Sequence, residues 1–277
     1  MLLFIKVYGF LIICLSCMTI ISCSSESEDT YSDIEFVESD FDIEAWANEE
    51  TSLSYASTII FGGKRFLIPT PIGFNDCEGS FFKEIFFRLS LQPSFTDHKL
   101  YIPANDYLKV DDPVFMENWH KDMFVCWVRT MDSLSSVDYN DRLFNAAIFK
   151  FQTPSEKRDE IIEKVRDEGY ASYARNSKAL FDDLDIQPPL DDIVEDSIKF
   201  LPIHDRSSNH FSVVKLTKGY NEGELFTEVV VSTCLKLKKK MLNFYVMTND
   251  ISELDHAKDV MKGWVRETLV RNGSSYR

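Results

Sequence analysis

The stretch TEVVVSTCLKLKKKMLNFYVMT, Thr227 to Thr248, decides the fold. Between Thr227 and Leu237 the residues Val229, Val231, Leu235 and Leu237 fall on one face, the two-residue period of a strand. Lys238-Lys239-Lys240 interrupt the run, and the apolar pattern returns from Met241 to Thr248. Two antiparallel strands joined by a turn are the expectation.

Downstream, Asp250 and Glu253 are placed to cap a helix whose Leu254, Ala257, Met261, Trp264, Val265 and Leu269 recur at helical spacing, with Gly273 just past its end. Upstream, IKFLPIH and HFSVVKL flank DRSSN as a second hairpin-like pair. Further back, TIIFGGKRFLI (58–68) is split by Gly62-Gly63, a pair suited to the positive φ of a hairpin turn, and Pro69 and Pro71 then end the ladder. From Ser80, the residues Phe81, Phe82, Ile85, Phe86 and Leu89 give an amphipathic helix. Lys99–Val110 and Asp122–Thr130 read as strands, the second apolar on both faces and therefore interior. Asp138–Phe151 is ambiguous, with a helix as the reading considered. Thr153-Pro154-Ser155-Glu156 has the form of a capping box for a helix that buries Ile161, Ile162, Val165, Tyr173 and Leu180, with Gly169 as a possible break.

Strands outnumber helices and follow one another through hairpins. The expected class is α+β: an antiparallel sheet with two or three packed helices and a closing C-terminal helix. The order of a hairpin ending in FLIPTPIGF, a middle helix, paired strands and a closing helix loosely resembles the PsbP-like sandwich fold, without a diagnostic motif.

The N-terminus carries a different message. Lys6 precedes an apolar run from Val7 to Ile21, which stops at Ser22-Cys23 and gives way to SSESEDTYSD. This is the layout of a secretory signal. Ile20-Ile21-Ser22-Cys23 resembles the lipobox of bacterial lipoproteins, with an aliphatic residue three before the cysteine and a small one just before it. The resemblance implies removal of residues 1–22, lipidation of Cys23 with palmitate-type acyl chains, and a place in the cell envelope, on the periplasmic or surface face of the outer membrane. The competing reading is an uncleaved anchor spanning Leu2 to Ser22. Residues 23–52 are serine-rich and acidic and read as a tether, and 53–277 as one α+β domain with an internal boundary candidate near 183–196, around Gln187-Pro188-Pro189.

The net charge is −15, and −16 without the first 22 residues, whose one charge is Lys6 (29 basic against 45 acidic side chains). Such a balance argues against nonspecific nucleic-acid binding, which draws its affinity from lysine and arginine, and for the chain as a whole it equally disfavours electrostatic docking on anionic lipid. Lys236, Lys238, Lys239 and Lys240 form the one basic concentration. They either keep a hairpin tip soluble or dock it against an acidic partner or lipid headgroups.

Motifs for chemistry are sparse. His204 and His210 flank DRSSN beside Asp205, a metal candidate opposed by the usual solvation of loop histidines. Asp182, Asp183, Asp185, Asp191 and Asp192 suggest calcium but do not follow the EF-hand pattern. Ser80-Phe81-Phe82-Lys83 fits S-x-x-K, with helix-starting serine as the alternative and no K-T-G partner. Cys77, Cys126 and Cys234 allow one disulfide in an oxidising compartment, and spacing does not choose the pair. No catalytic residue, cofactor or metal site is assigned.

The expected function is a membrane-anchored, non-enzymatic binding or accessory module. Its expected partners are the membrane, through Cys23, and a protein, with no nucleic acid. Two alternatives stand beside it: a lipid-anchored hydrolase using scattered acids or Ser80 with Lys83, and an acidic immunity or inhibitor lipoprotein.

Overall fold

A computed structural model describes residues 56–90, 95–110, 112, 123–152, 175–176, 179, 193–221 and 224–276. The decisive stretch forms two long strands, Glu224–Leu237 (β9) and Lys240–Thr248 (β10), antiparallel in continuous register. The turn between them is two residues, not three. Lys238 and Lys239 both adopt positive φ (50° and 65°), while Lys240 opens β10. That geometry matches the right-handed twist of a hairpin but favours asparagine and glycine. Lys239 is exposed, forms no ion pair among the described residues, and its carbonyl accepts from the Tyr139 amide at 2.7 Å. Lys239→Gly should therefore raise stability by about 1 kcal/mol, read as a higher urea midpoint at unchanged slope.

The other strands are Ala56–Phe61 (β1), Lys64–Pro69 (β2), Phe74–Asp76 (β3), Phe95–Pro103 (β4), Phe124–Met131 (β5), Ile193–Phe200 (β6), Asp205–Arg206 (β7) and His210–Asn221 (β8). Among the described residues the helices with defined bounds are Phe81–Ser90 (α1), the single turn Ala104–Tyr107 (α2), Asp141–Gln152 (α3) and Leu254–Arg271 (α4). Every strand pairing is antiparallel; β1 and β2 make their own hairpin, and the main sheet runs β3-β4-β5-β10-β9-β8-β6 with β7 on β8. The expected α+β class is what the chain forms. Strands on both sides of 183–196 join this one sheet.

Three expectations need correction. β4 ends at Pro103 rather than running to Val110, because proline offers no N–H to a continuing ladder and Ala104 turns to donate to the Gly73 carbonyl. Phe81 lies off the buried stripe and is 49% exposed, since Phe82, Ile85 and Phe86 already fill the i, i+3, i+4 face. β9 buries both faces rather than one. α4 packs Ala257, Met261, Trp264, Val265 and Leu269 against one side of the sheet, while α1 and α3 reach the other through Phe86 on Trp127 and Phe144 on Phe211. The ambiguous segment resolves as α3, started by Asn140, whose side chain accepts from the Leu143 amide at 2.9 Å. Asp250 caps the 3-10 turn Ile251–Glu253 that leads into α4, and Gly273 ends that helix at φ 73°. The capping-box helix from Thr153 and the Gln187-Pro188-Pro189 boundary lie outside the described residues.

The β1–β2 hairpin turns at Gly62-Gly63, both at positive φ. Gly62 admits no side chain, because an added Cβ would collide with the Ser135 carbonyl and the Lys240 side chain. The hairpin is fixed to α4 by the Trp264 indole, which donates to the Pro69 carbonyl at 2.7 Å. Asn272 also brackets the Leu67 peptide, accepting from its amide at 3.0 Å and donating to its carbonyl at 2.7 Å.

Candidate functional site

Strand alternation sorts the sheet's side chains onto two faces, and the face towards α1 and α3 is not uniformly apolar. Trp127 of β5, Tyr245 of β10 and Ser232 of β9 stand in one cross-strand row; Arg129, Asn243 and Cys234 make the next. Two rungs the other way, β8 and β9 contribute Lys215, Thr217 and Glu228. All of these are buried. A polar seam therefore crosses the sheet diagonally inside a valine- and phenylalanine-rich interior.

The charges within the seam compensate one another. Arg129 grips Asp97 of β4 with two parallel bonds, Nε to Oδ1 at 2.6 Å and Nη2 to Oδ2 at 2.7 Å, while its guanidinium lies 5.2 Å from the Phe95 ring. Lys215 Nζ sits 3.1 Å from Glu228 Oε1, both side chains fully buried. The Trp127 and Tyr245 rings stack at 4.6 Å and 12°. Among the described residues, Trp127 Nε1, Ser232 Oγ, Asn243 Oδ1 and Thr217 Oγ1 have no hydrogen-bond partner. Such a row is rare in a dry interior, where buried polar atoms are almost always paired.

The residues singled out from sequence lie elsewhere. Ser80 caps α1: its hydroxyl donates to the Cys77 carbonyl at 2.8 Å and accepts from the Lys83 amide at 3.1 Å. The Lys83 ammonium bonds Glu78 at 2.7 Å, and Lys99 meets the same carboxylate at 2.8 Å. Those two bonds hold Glu78 down to about 2. Serine and lysine are thus adjacent, but each is engaged with another group.

Asp205 and His210 do come together, within a hydrogen-bonded cluster. The His210 ring is buried against the Tyr276 ring at 4.7 Å, with Nδ1 2.9 Å from the Ser207 hydroxyl and Nε2 3.2 Å from Asp205. Tyr276 donates to Asp205 at 2.6 Å. Burial pushes the Asp205 carboxyl up, but His210 and Tyr276 outweigh it and hold the group below the usual carboxylate range. His204 stays exposed. Among the described residues no three His, Cys, Asp or Glu side chains could share an ion. The cluster fastens the C-terminal segment to the β7–β8 turn, helped by Asn209, which donates to the Ser275 carbonyl. The aspartates 182, 183, 185, 191 and 192, and Cys23, lie outside the described residues.

Cys77, Cys126 and Cys234 are buried and form no disulfide among the described residues. Burial, with Asp76 adding to it, pushes the Cys77 thiol up to about 12, and burial raises Cys126 well above its ordinary value, so neither is a ready nucleophile. Of the four clustered lysines, two are not at a free tip at all. Lys236 is buried against Asp141 and lies 5.0 Å from the Phe144 ring, and Lys240 donates to the Ser135 and Val137 carbonyls and pairs with Asp138. Lys238 and Lys239 remain exposed. Among the described residues no helix is long and apolar enough to cross a membrane. Comparison of the chain with protein-family models, curated proteins and solved structures finds no match.

Proposed function

We propose that this chain is a lipid-anchored protein of the bacterial cell envelope, attached through Cys23, whose body is a binding module that would enclose its ligand against the buried polar seam. The address rests on Ile20-Ile21-Ser22-Cys23 at the end of an apolar run and on the serine-rich acidic stretch after it. The binding role rests on one observation: the four partnerless polar atoms of the seam. Each costs about 1–3 kcal/mol if left dry, roughly 4–12 kcal/mol together, which rivals the net stability of a domain. Buried water or a bound polar molecule would complete them. Because Arg129–Asp97 and Lys215–Glu228 are already neutralised, the seam offers hydrogen bonds and aromatic surface rather than net charge. It therefore suits a small neutral ligand rich in hydroxyl or amide groups.

Two measurements test the two halves. Replacing Cys23 by serine should abolish acyl labelling and shift the protein from the membrane to the soluble fraction, because each buried methylene contributes about 0.8 kcal/mol to anchoring. Labelling that persists in the variant would sink the anchor. For the body, the protein extracted from membranes in mild detergent should carry an extra small mass in native mass spectrometry. That mass should be lost on denaturation and reduced in an Asn243→Leu, Ser232→Ala variant. No bound mass, together with a more stable variant, would mean that the seam is only an imperfect core.

A further inference from the structure

We propose that the junction of the β1–β2 and β9–β10 turns is a docking surface for anionic lipid headgroups, which lays the body on the bilayer that holds its anchor. Two basic runs more than 170 residues apart in the chain meet here: the Lys238 ammonium donates to the Arg65 carbonyl at 2.6 Å, and Lys64 and Lys239 both lie close enough to Asp138 to act on its carboxyl electrostatically. The junction gathers Lys64, Arg65, Lys236, Lys238, Lys239 and Lys240 against Asp138 and Asp141, six positive charges to two negative, or +4, on a chain of −15. The buried lysines Lys236 and Lys240 take both carboxylates. Lys64, Arg65, Lys238 and Lys239 are all exposed, and among the described residues none of them forms an ion pair.

Beside these cations stands an apolar side chain that a purely electrostatic partner would not use. Ile60 is directly opposite Arg65 in the hairpin register and is 72% exposed. A cluster of cations around an exposed aliphatic residue suits a headgroup layer, where charge meets phosphate and the aliphatic group enters the acyl boundary. Four exposed cations are few for a polynucleotide track, and a local patch of this size acts against the acidity of the rest of the chain only at close range. The inference rests on the anchor reading for its context. The 32 residues between Cys23 and Ala56 span at most about 110 Å, so the junction can reach the membrane surface, and tethering makes a weak contact effective.

The test uses the chain from residue 23 with Cys23→Ser, so that no acyl chain contributes, floated with vesicles of phosphatidylcholine alone or with 30% phosphatidylglycerol. Binding should require the anionic lipid and fall in high salt. A juxtamembrane cation contributes about fivefold in partitioning, so Arg65→Gln with Lys239→Gln should weaken binding about 25-fold. Lys199→Gln with Lys218→Gln, exposed lysines on β6 and β8 at the far side of the sheet, should leave it unchanged. Equal binding to both vesicle types, insensitivity to the junction variant, or a preference for soluble polyglutamate would overturn the proposal, the last in favour of an acidic polypeptide. Acyl labelling of wild-type Cys23 is scored separately, so failure of the anchor leaves the vesicle result interpretable.

Discussion

Glu228→Gln should lower the unfolding free energy by about 3–5 kcal/mol, enough to leave a marginal domain partly unfolded near body temperature. The reason is asymmetry. With both partners present, Lys215 and Glu228 cancel one another at 3.1 Å, inside a sheet where neither side chain reaches water. With the carboxylate gone, the ammonium faces Phe200 and Val230 across the ladder with no compensating charge, and its desolvation is unopposed. The double variant Lys215→Met, Glu228→Leu removes both charges and keeps the volume, and should regain most of the loss or exceed the wild type. Urea midpoints of the two variants decide the matter. A single variant within 1 kcal/mol of wild type would mean that water reaches the pair. A double variant no better than the single one would mean that the carboxylate has another essential partner.

The same pair shows where reading the chain alone stops. The hairpins were legible because their signals are local: Gly62-Gly63 between apolar runs, and the alternation around Lys238. The closing helix was legible because Leu254 to Leu269 repeats every three to four residues. Lys215 and Glu228 carry no such local signal. They face each other only because β8 and β9 pair in one register, and a lysine in SVVKLT looks like any lysine on an exposed strand face. The seam was invisible for the same reason, since Trp127, Ser232 and Asn243 belong to three strands and converge only in the assembled sheet. The lysine cluster was visible as composition but not as structure. Its sequence does not reveal that Lys236 and Lys240 turn inward to Asp141 and Asp138, or that Lys64 and Arg65 arrive from the opposite end of the chain to replace them at the surface.

Trp264→Ala should be the other severe substitution, costing about 3–5 kcal/mol. The indole is 2% exposed and meets the Phe244 ring at 4.6 Å and the Tyr101 ring at 5.4 Å, both edge to face, so its removal empties the middle of the layer between α4 and the sheet. It also strips the Pro69 carbonyl of its buried donor. Trp264→Phe separates the two contributions. It retains most of the aromatic contact and loses the hydrogen bond, so about 1–2 kcal/mol of destabilisation is expected. The consequence extends past stability, because Pro69 ends the strand that begins with Lys64 and Arg65. With the indole gone, the hairpin keeps Asn272 on the Leu67 peptide as its other polar link to α4. Trp264→Phe should therefore stay folded yet present its basic turn less rigidly, with faster amide exchange in β1 and β2 than in β9 and β10. Its binding to phosphatidylglycerol vesicles should fall less than that of the Arg65, Lys239 variant, since every charge is still present. Uniform acceleration of exchange across the whole sheet would show instead that the hairpin and the main sheet open as one unit, and that Trp264 stabilises both equally.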